Sequence, residues 1–319
     1  MTDAAGVPRA TTGPAPTVPG EAVAAILGWY QASGRTLPFR GSSDPYAVLV
    51  SEAMAQQTQV SRVGDRWTSF LARFPTVAVL AAASPADVLR EWRGLGYNRR
   101  ALNLWRAARV IVERHDGRVP SALAALEALP GVGPYTARAV AALAFGQPVG
   151  AVDTNVRRVL GRIVAGASGM PARDLQVLAD GAVPADRPAD WTHALMDLGA
   201  TICRPNRPDC PACPVRARCR YAGEHSEHRA SQVPLRQADR LRRSGDRPAA
   251  PRFPSTSRWL RGRLLDRLRD GHGDGWLRIE PRIGEHGPAA IEVALAALVA
   301  DGLVEQDPDD PVRCRLPIG

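Results

Sequence analysis

Four cysteines, Cys203, Cys210, Cys213 and Cys219, fall within seventeen residues in the spacing C-x6-C-x2-C-x5-C. Thiolates are soft ligands, and four in so short a loop suit tetrahedral zinc or an iron–sulfur cluster. Zinc ribbons pair two C-x2-C knuckles, and this loop has one. Clustering of this kind reads as metal binding and not as disulfides. The fifth cysteine, Cys314, stands apart as a free thiol. A second chemical stretch runs from Leu129 to Asn155. Gly131 and Gly133 lack a Cβ, so this hairpin can take positive φ and turn backbone N–H groups onto a phosphate. Pro134 then opens a helix whose N-terminal dipole favours the same anion. About twenty residues on, Asp153 precedes an apolar run of Val156, Val159, Leu160 and Ile163, so taken alone it is a helix N-cap. Glu52, taken alone, is a solvated helix glutamate.

These groups need helices to hold them. Asp44-Pro45 predicts a helix from about Pro45 through Met54 that carries Glu52, and Thr58 reads as the cap of the next. That next helix holds Val60, Val63, Trp67, Phe70, Leu71 and Phe74 at three- and four-residue steps. Ser84-Pro85 marks another start, and the loop GLGYN, Gly94 to Asn98, leads to a helix over 101–114 with Leu102, Trp105, Ala108 and Ile111 inward. Strand signals are nearly absent to residue 224, so the core reads as all-α. Residues 1–20 are small, proline-rich and aperiodic and read as a disordered tail. Residues 225–258, rich in Arg, Pro and Ser, read as a linker. Residues 259–319 read as a small α+β module of winged-helix-like order: two helices, then GLVEQ, DPDD and VRCRLP as a β-hairpin.

The 319 residues suit about two domains, with 45% hydrophobic residues. No apolar run approaches a membrane span and the N-terminus lacks the core of a secretory signal, which predicts a cytoplasmic, reducing setting and no membrane. The net charge of +9 points to a polyanion, most simply nucleic acid, with a membrane surface the weaker alternative. All 41 basic residues are arginine, so there is no lysine.

LPGVGPYTARAVAALAFG followed by VDTNVRRVLGR, together with SEAMAQQTQV, GLGYN, MDLGATIC and the cysteine loop, resembles the helix-hairpin-helix DNA glycosylases. Within that superfamily the likeness is to the adenine DNA glycosylase family, over residues 21–224. The resemblance implies an all-α, two-lobed fold: an iron–sulfur lobe from 21–44 plus 153–224 and a six-helix barrel lobe over 45–152. It implies a 4Fe-4S cluster on the four cysteines. It also implies a monomer acting on double-stranded DNA that contains mispaired adenine.

Breaking an adenine N-glycosidic bond needs a better leaving group and a tolerable sugar cation. Protonating a ring nitrogen supplies the first and calls for a carboxylic acid in a dry pocket; the resemblance assigns that role to Glu52. The oxocarbenium-like sugar needs a nearby anion, assigned to Asp153. Asn155 matches the family residue that orients the glutamate, and Tyr135 a position whose hydroxyl reaches the same site. In glycosylase-lyases that position is the lysine that forms a Schiff base. Tyrosine there, in a lysine-free chain, predicts a monofunctional enzyme. Gln57 and Tyr97 are expected to enter the DNA at the mispair. Leu129, Gly131, Val132, Gly133 and Thr136 are expected to contact it at the hairpin, and Arg204 and Arg207 from the cysteine loop.

Three features depart from the family pattern. Thr154 stands where many members have glycine, Ala55 where leucine is common, and residues 225–319 are too short and helical for the Nudix-like domain that reads 8-oxoguanine. Two rival readings follow: a thymine or uracil mismatch glycosylase on the same scaffold, and a non-catalytic lesion-binding protein.

Overall fold

The computed structural model describes residues 17–167, 169–226, 252–271 and 275–319. Most of the expected tail and linker therefore lies outside the described residues. The helices in chain order are α1 (Gly20–Ser33), α2 (Pro45–Ala55), α3 (Val63–Arg73), α4 (Val77–Ala82), α5 (Pro85–Glu91), α6 (Arg99–Arg114), α7 (Leu123–Glu127) and α8 (Pro134–Phe145). They continue with α9 (Thr154–Ala165), α10 (Ala172–Gly181), α11 (Pro188–Thr201), α12 (Arg220–Ser226), α13 (Ser257–Asp270) and α14 (Pro288–Ala300). Among the described residues no strand precedes β1 (Leu277–Arg278), and no helix is long and apolar enough to cross a membrane.

Local chemistry sets these boundaries. The Asp44 carboxylate accepts from the Tyr46 amide at 3.1 Å with Pro45 at the first helical position, and Ser84 does the same for Asp87 at 3.1 Å ahead of α5. Gly146 and Gly166, at φ +62° and +68°, end α8 and α9 in the left-handed conformation. Thr58 is not the cap that the sequence predicts. A 3-10 turn, Val60–Arg62, leads into α3, and the Thr58 hydroxyl donates to Leu95 O (3.2 Å) and accepts from Arg100 (2.9 Å). A half-buried guanidinium is the stronger partner. On α6, Leu102, Ala108 and Ile111 are buried as expected. Trp105 is only half-buried, because its indole N–H reaches Ala83 O at 3.0 Å, and Leu104 fills the core instead.

The chain forms two compact units. The first joins the described residues of Met1–Gly34 and Pro148–Ala230; here α1, α9, α10 and α11 surround Ile26, Val159, Leu160, Leu175, Trp191 and Leu195, all buried. The second joins Arg35–Gln147 and Ser231–Gly319, and so contains α2 to α8 and the C-terminal module. In that module α13 packs on α14, and β1, β2 (Glu305–Gln306) and β3 (Arg313–Arg315) form an antiparallel sheet in the order β1-β3-β2. Leu277 pairs with Cys314 and Glu305 with Arg315. Cys314, on β3, is fully buried, and burial pushes its thiol up to about 11.

Candidate active site

Asp153 ends an extended segment and caps α9. Its Oδ1 accepts from the Val156 amide at 2.7 Å and its Oδ2 from Asn155 Nδ2 at 3.0 Å. Both oxygens are thus fixed by neighbours within three residues. Asn155 is held in turn: its Oδ1 accepts from Arg158 Nη2 at 2.7 Å. Arg158, one turn along α9 and 8% exposed, also donates to Gly199 O and Cys203 O, both at 2.7 Å, and to Thr154 O at 3.3 Å. A run of hydrogen bonds therefore connects the backbone of the first cysteine to the carboxylate of Asp153. Gly199 is required for it, since a Cβ there would stand 2.6 Å from Asn155 Cβ.

The cysteine loop lies next to this run. Cys203, Cys210, Cys213 and Cys219 line one pocket together with Arg162, Arg216 and Tyr221. Arg162 is nearly buried. Its Nη1 lies 3.4 Å from Cys203 Sγ, it donates to Arg204 O (2.9 Å) and Pro205 O (2.8 Å), and its guanidinium sits 4.5 Å from the Tyr221 ring centroid. The Arg162 Nε has no hydrogen-bond partner among the described residues. Burial pushes the Cys213 thiol up to about 11, a backbone bond from Val215 opposes this, and the other three cysteines add to it. Four thiolates in this pocket therefore need positive charge among them. Among the described residues no three metal-ligating side chains stand in position to hold a single ion. The donor set of four soft ligands, with a guanidinium against one sulfur, fits a thiolate-bound metal group. Arg204 and Arg207 are exposed on the same loop and line a surface hollow with Pro208 and Asp209.

In the second unit α2 packs on α8. This brings together the helix that carries Glu52, 9% exposed, and the helix whose first turn carries Tyr135, half-buried. Gln56 Nε2 donates to Thr136 Oγ1 at 3.2 Å and ties the end of α2 to the start of α8. At the hairpin, Gly131 has φ +77° and lies so close to Asn103 that a Cβ would stand 2.6 Å from Asn103 Cβ. Gly133 does not share that conformation: at φ −94° it is extended and caps α8, so one left-handed glycine makes the turn. The side chains of Leu129, Val132 and Thr136 are buried, which leaves Gly131 and Gly133 as the exposed part of the hairpin.

Gln57 and Tyr97 are both exposed, and both take left-handed backbone, at φ +54° and +44°. Among the described residues only Asp116 is a further non-glycine of that kind. Such conformations cost free energy and persist where neighbours impose them. Arg100 ties the segment that precedes each of them. Its guanidinium donates to Ala53 O (2.8 Å) and Met54 O (2.9 Å) at the end of α2, and to Leu95 O and Gly96 O (both 3.1 Å) in the other loop. Burial lowers its pKa to about 10, with Tyr97 opposing, and it remains charged at neutral pH. Sequence reading did not single out Arg100, Arg158, Arg162 or Gly199. The available signal was two arginines one turn apart beside the apolar stripe of α9, where a solvated helix would place its charge on the opposite face.

Comparison with known proteins agrees with this arrangement. Residues 50–175 match the HhH-GPD superfamily of base excision DNA repair proteins. An adenine DNA glycosylase of Mycolicibacterium smegmatis is 41% identical over 287 residues, 89% of this chain and 92% of that protein. The human adenine DNA glycosylase is 44% identical over 208 residues, 61% of this chain and 38% of that protein. Among solved structures, a thermostable thymine-DNA glycosylase superimposes with TM-score 0.60 at 32% identity, over 63% of this chain and 95% of that one. An endonuclease III trapped covalently on DNA superimposes with TM-score 0.56 at 22% identity, over 64% and 95%, and shows the shared fold. With two thirds of this chain and more aligned to adenine DNA glycosylases from residues that form both units, the chain belongs to the adenine DNA glycosylase family of the HhH-GPD superfamily.

Proposed function

We propose that the protein is a monofunctional adenine DNA glycosylase that flips adenine out of a pair with 8-oxoguanine or guanine and hydrolyses its N-glycosidic bond. Asp153 carries this reading, because its carboxylate is held at both oxygens in a chain 41% identical to an adenine DNA glycosylase. Glu52 donates a proton to an adenine ring nitrogen, the C1′–N bond breaks with its electrons going to the base, and the ionised Asp153 faces the developing sugar cation. Water then adds at C1′, its proton returning to the Glu52 carboxylate, and leaves an abasic site. Asn155 keeps Asp153 in place, and Tyr135 stands where lyases carry their lysine, so no Schiff base forms. Gln57, Tyr97 and the Gly131–Gly133 hairpin grip the duplex, with Arg204 and Arg207 on its phosphates. Cys203, Cys210, Cys213 and Cys219 would hold a 4Fe-4S cluster. When bound, it supplies metal–thiolate bonds that fix the loop beside Arg162.

A second reading has one observation in its favour, the 32% identity to a thymine-DNA glycosylase. Glu52 speaks against it, since pyrimidine release has less need of that acid. A single-turnover assay on duplexes with A opposite 8-oxoguanine, A opposite G, T opposite G and A opposite T separates the two. Strand scission only after alkali, at the first two duplexes, is expected. Cleavage confined to T opposite G transfers the protein to the second reading, and a borohydride-trapped imine removes the monofunctional assignment.

A further inference from the structure

The C-terminal module holds the loop that presents Tyr97. Gly94 to Asn98 is a turn in which Gly94, Gly96 and Tyr97 are exposed and take left-handed backbone, at φ +85°, +69° and +44°. The last turn of α13 pins it at both ends. Before the loop, Arg93 pairs with Asp270 at 2.5 Å. After it, Asn98 Oδ1 accepts from Arg269 Nη2 at 2.7 Å, while Arg269 Nε reaches Leu89 O on α5 at 2.8 Å. Arg269 is 8% exposed, and an arginine buried this far is retained only with its donors satisfied. Between these ties Tyr97 stands 46% exposed, with the Arg258 guanidinium 5.0 Å and the Arg100 guanidinium 5.6 Å from its ring centroid. An exposed aromatic ring between two cations matches what a duplex offers, a stack to enter and phosphates on either side. Arg100 comes from the glycosylase core and Arg258 from the module.

We infer that residues 257–319 act on the reaction through this loop: Arg258 and Arg269 are positioning residues that hold Tyr97 ready for insertion beside the mispair. The inference rests on the reading of Tyr97 as a residue that enters DNA. It makes the module part of the recognition surface and not a separate unit. Arg258 adds a positive charge beside the inserted ring, and Arg269 fixes the direction from which the ring approaches.

The test uses the full chain and a duplex with 2-aminopurine next to a mispair, whose fluorescence rises when the stack opens. Wild type is expected to raise it and Tyr97→Ala to abolish the rise. Arg258→Ala, at an exposed site, is expected to reduce the rise by about two- to fivefold, and Arg258→Lys to restore most of it. Arg269→Ala is expected to reduce it by about tenfold. Asn98→Ala removes the same contact while leaving the buried arginine in place, and serves if Arg269→Ala does not fold. A full rise with Arg258→Ala and Asn98→Ala overturns the inference. Adenine excision is followed in the same samples. A wild type that opens the stack through Tyr97 but releases no adenine removes the glycosylase reading alone.

Discussion

Arg158 and Arg100 each gather main-chain carbonyls from segments far apart in sequence, Arg158 from Thr154, Gly199 and Cys203, and Arg100 from Ala53, Met54, Leu95 and Gly96. They steady different things. Arg158 lies on a helix, and its effect reaches Asp153 through one side chain, Asn155, so the carboxylate is held in a low-energy N-cap geometry. Arg100 holds two loops directly, and the residues those loops present, Gln57 and Tyr97, have strained backbone. One region fixes a carboxylate in place. The other keeps two side chains exposed against their own conformational preference. A planar guanidinium with five donors serves both, and a lysine in either place would satisfy fewer carbonyls.

The largest effect is expected where the comparison is sharpest. Asp153→Asn keeps a good N-cap, so thermal stability should change little, while single-turnover adenine excision falls about 10^3-fold. A stability loss without a rate loss would reduce Asp153 to a cap. Next, Arg158→Ala leaves carbonyls of the cysteine loop and α11 without their donor; unfolding should become easier by about 3 kcal/mol and excision fall with it. Arg100→Ala should instead weaken binding to mispaired duplex much more than it slows excision once bound. If both arginines affect rate and affinity alike, the division between the two regions is wrong. Gly199→Ala, whose Cβ must displace Asn155, should slow excision about tenfold with duplex affinity unchanged. Smallest is Gly131→Ala. With φ +77° and Asn103 in the way, it should cost about 1 kcal/mol, in stability or in weaker binding to any duplex, matched or mispaired, measured by anisotropy.

Gly131 and Asp153 were legible from residue type, because a turn that needs positive φ and a helix start that needs an acceptor are local demands. The helix starts at Asp44-Pro45, Ser84-Pro85 and Pro134 were readable for the same reason. The four cysteines were legible from their spacing, and the family motifs then gave roles to Glu52 and Tyr135. Thr58 and Gly133 were misread in detail. Thr58 binds an arginine 42 residues away, and Gly133 follows a turn that its neighbour had already completed. Nothing within a few residues of either reports this.

The sequence by itself determined the all-helical core, the hairpin, the cysteine loop and, in the C-terminal module, two helices followed by a β-hairpin, since each depends on spacing or backbone preference within one segment; the short strand β1 between those helices was not read. Only the tertiary structure decided the partners of Arg100, Arg158, Arg162 and Arg269. These are four of 41 arginines in a basic chain, alike in sequence to those that face solvent. What sets them apart is burial beside unpaired carbonyls, and that exists only after distant segments have packed.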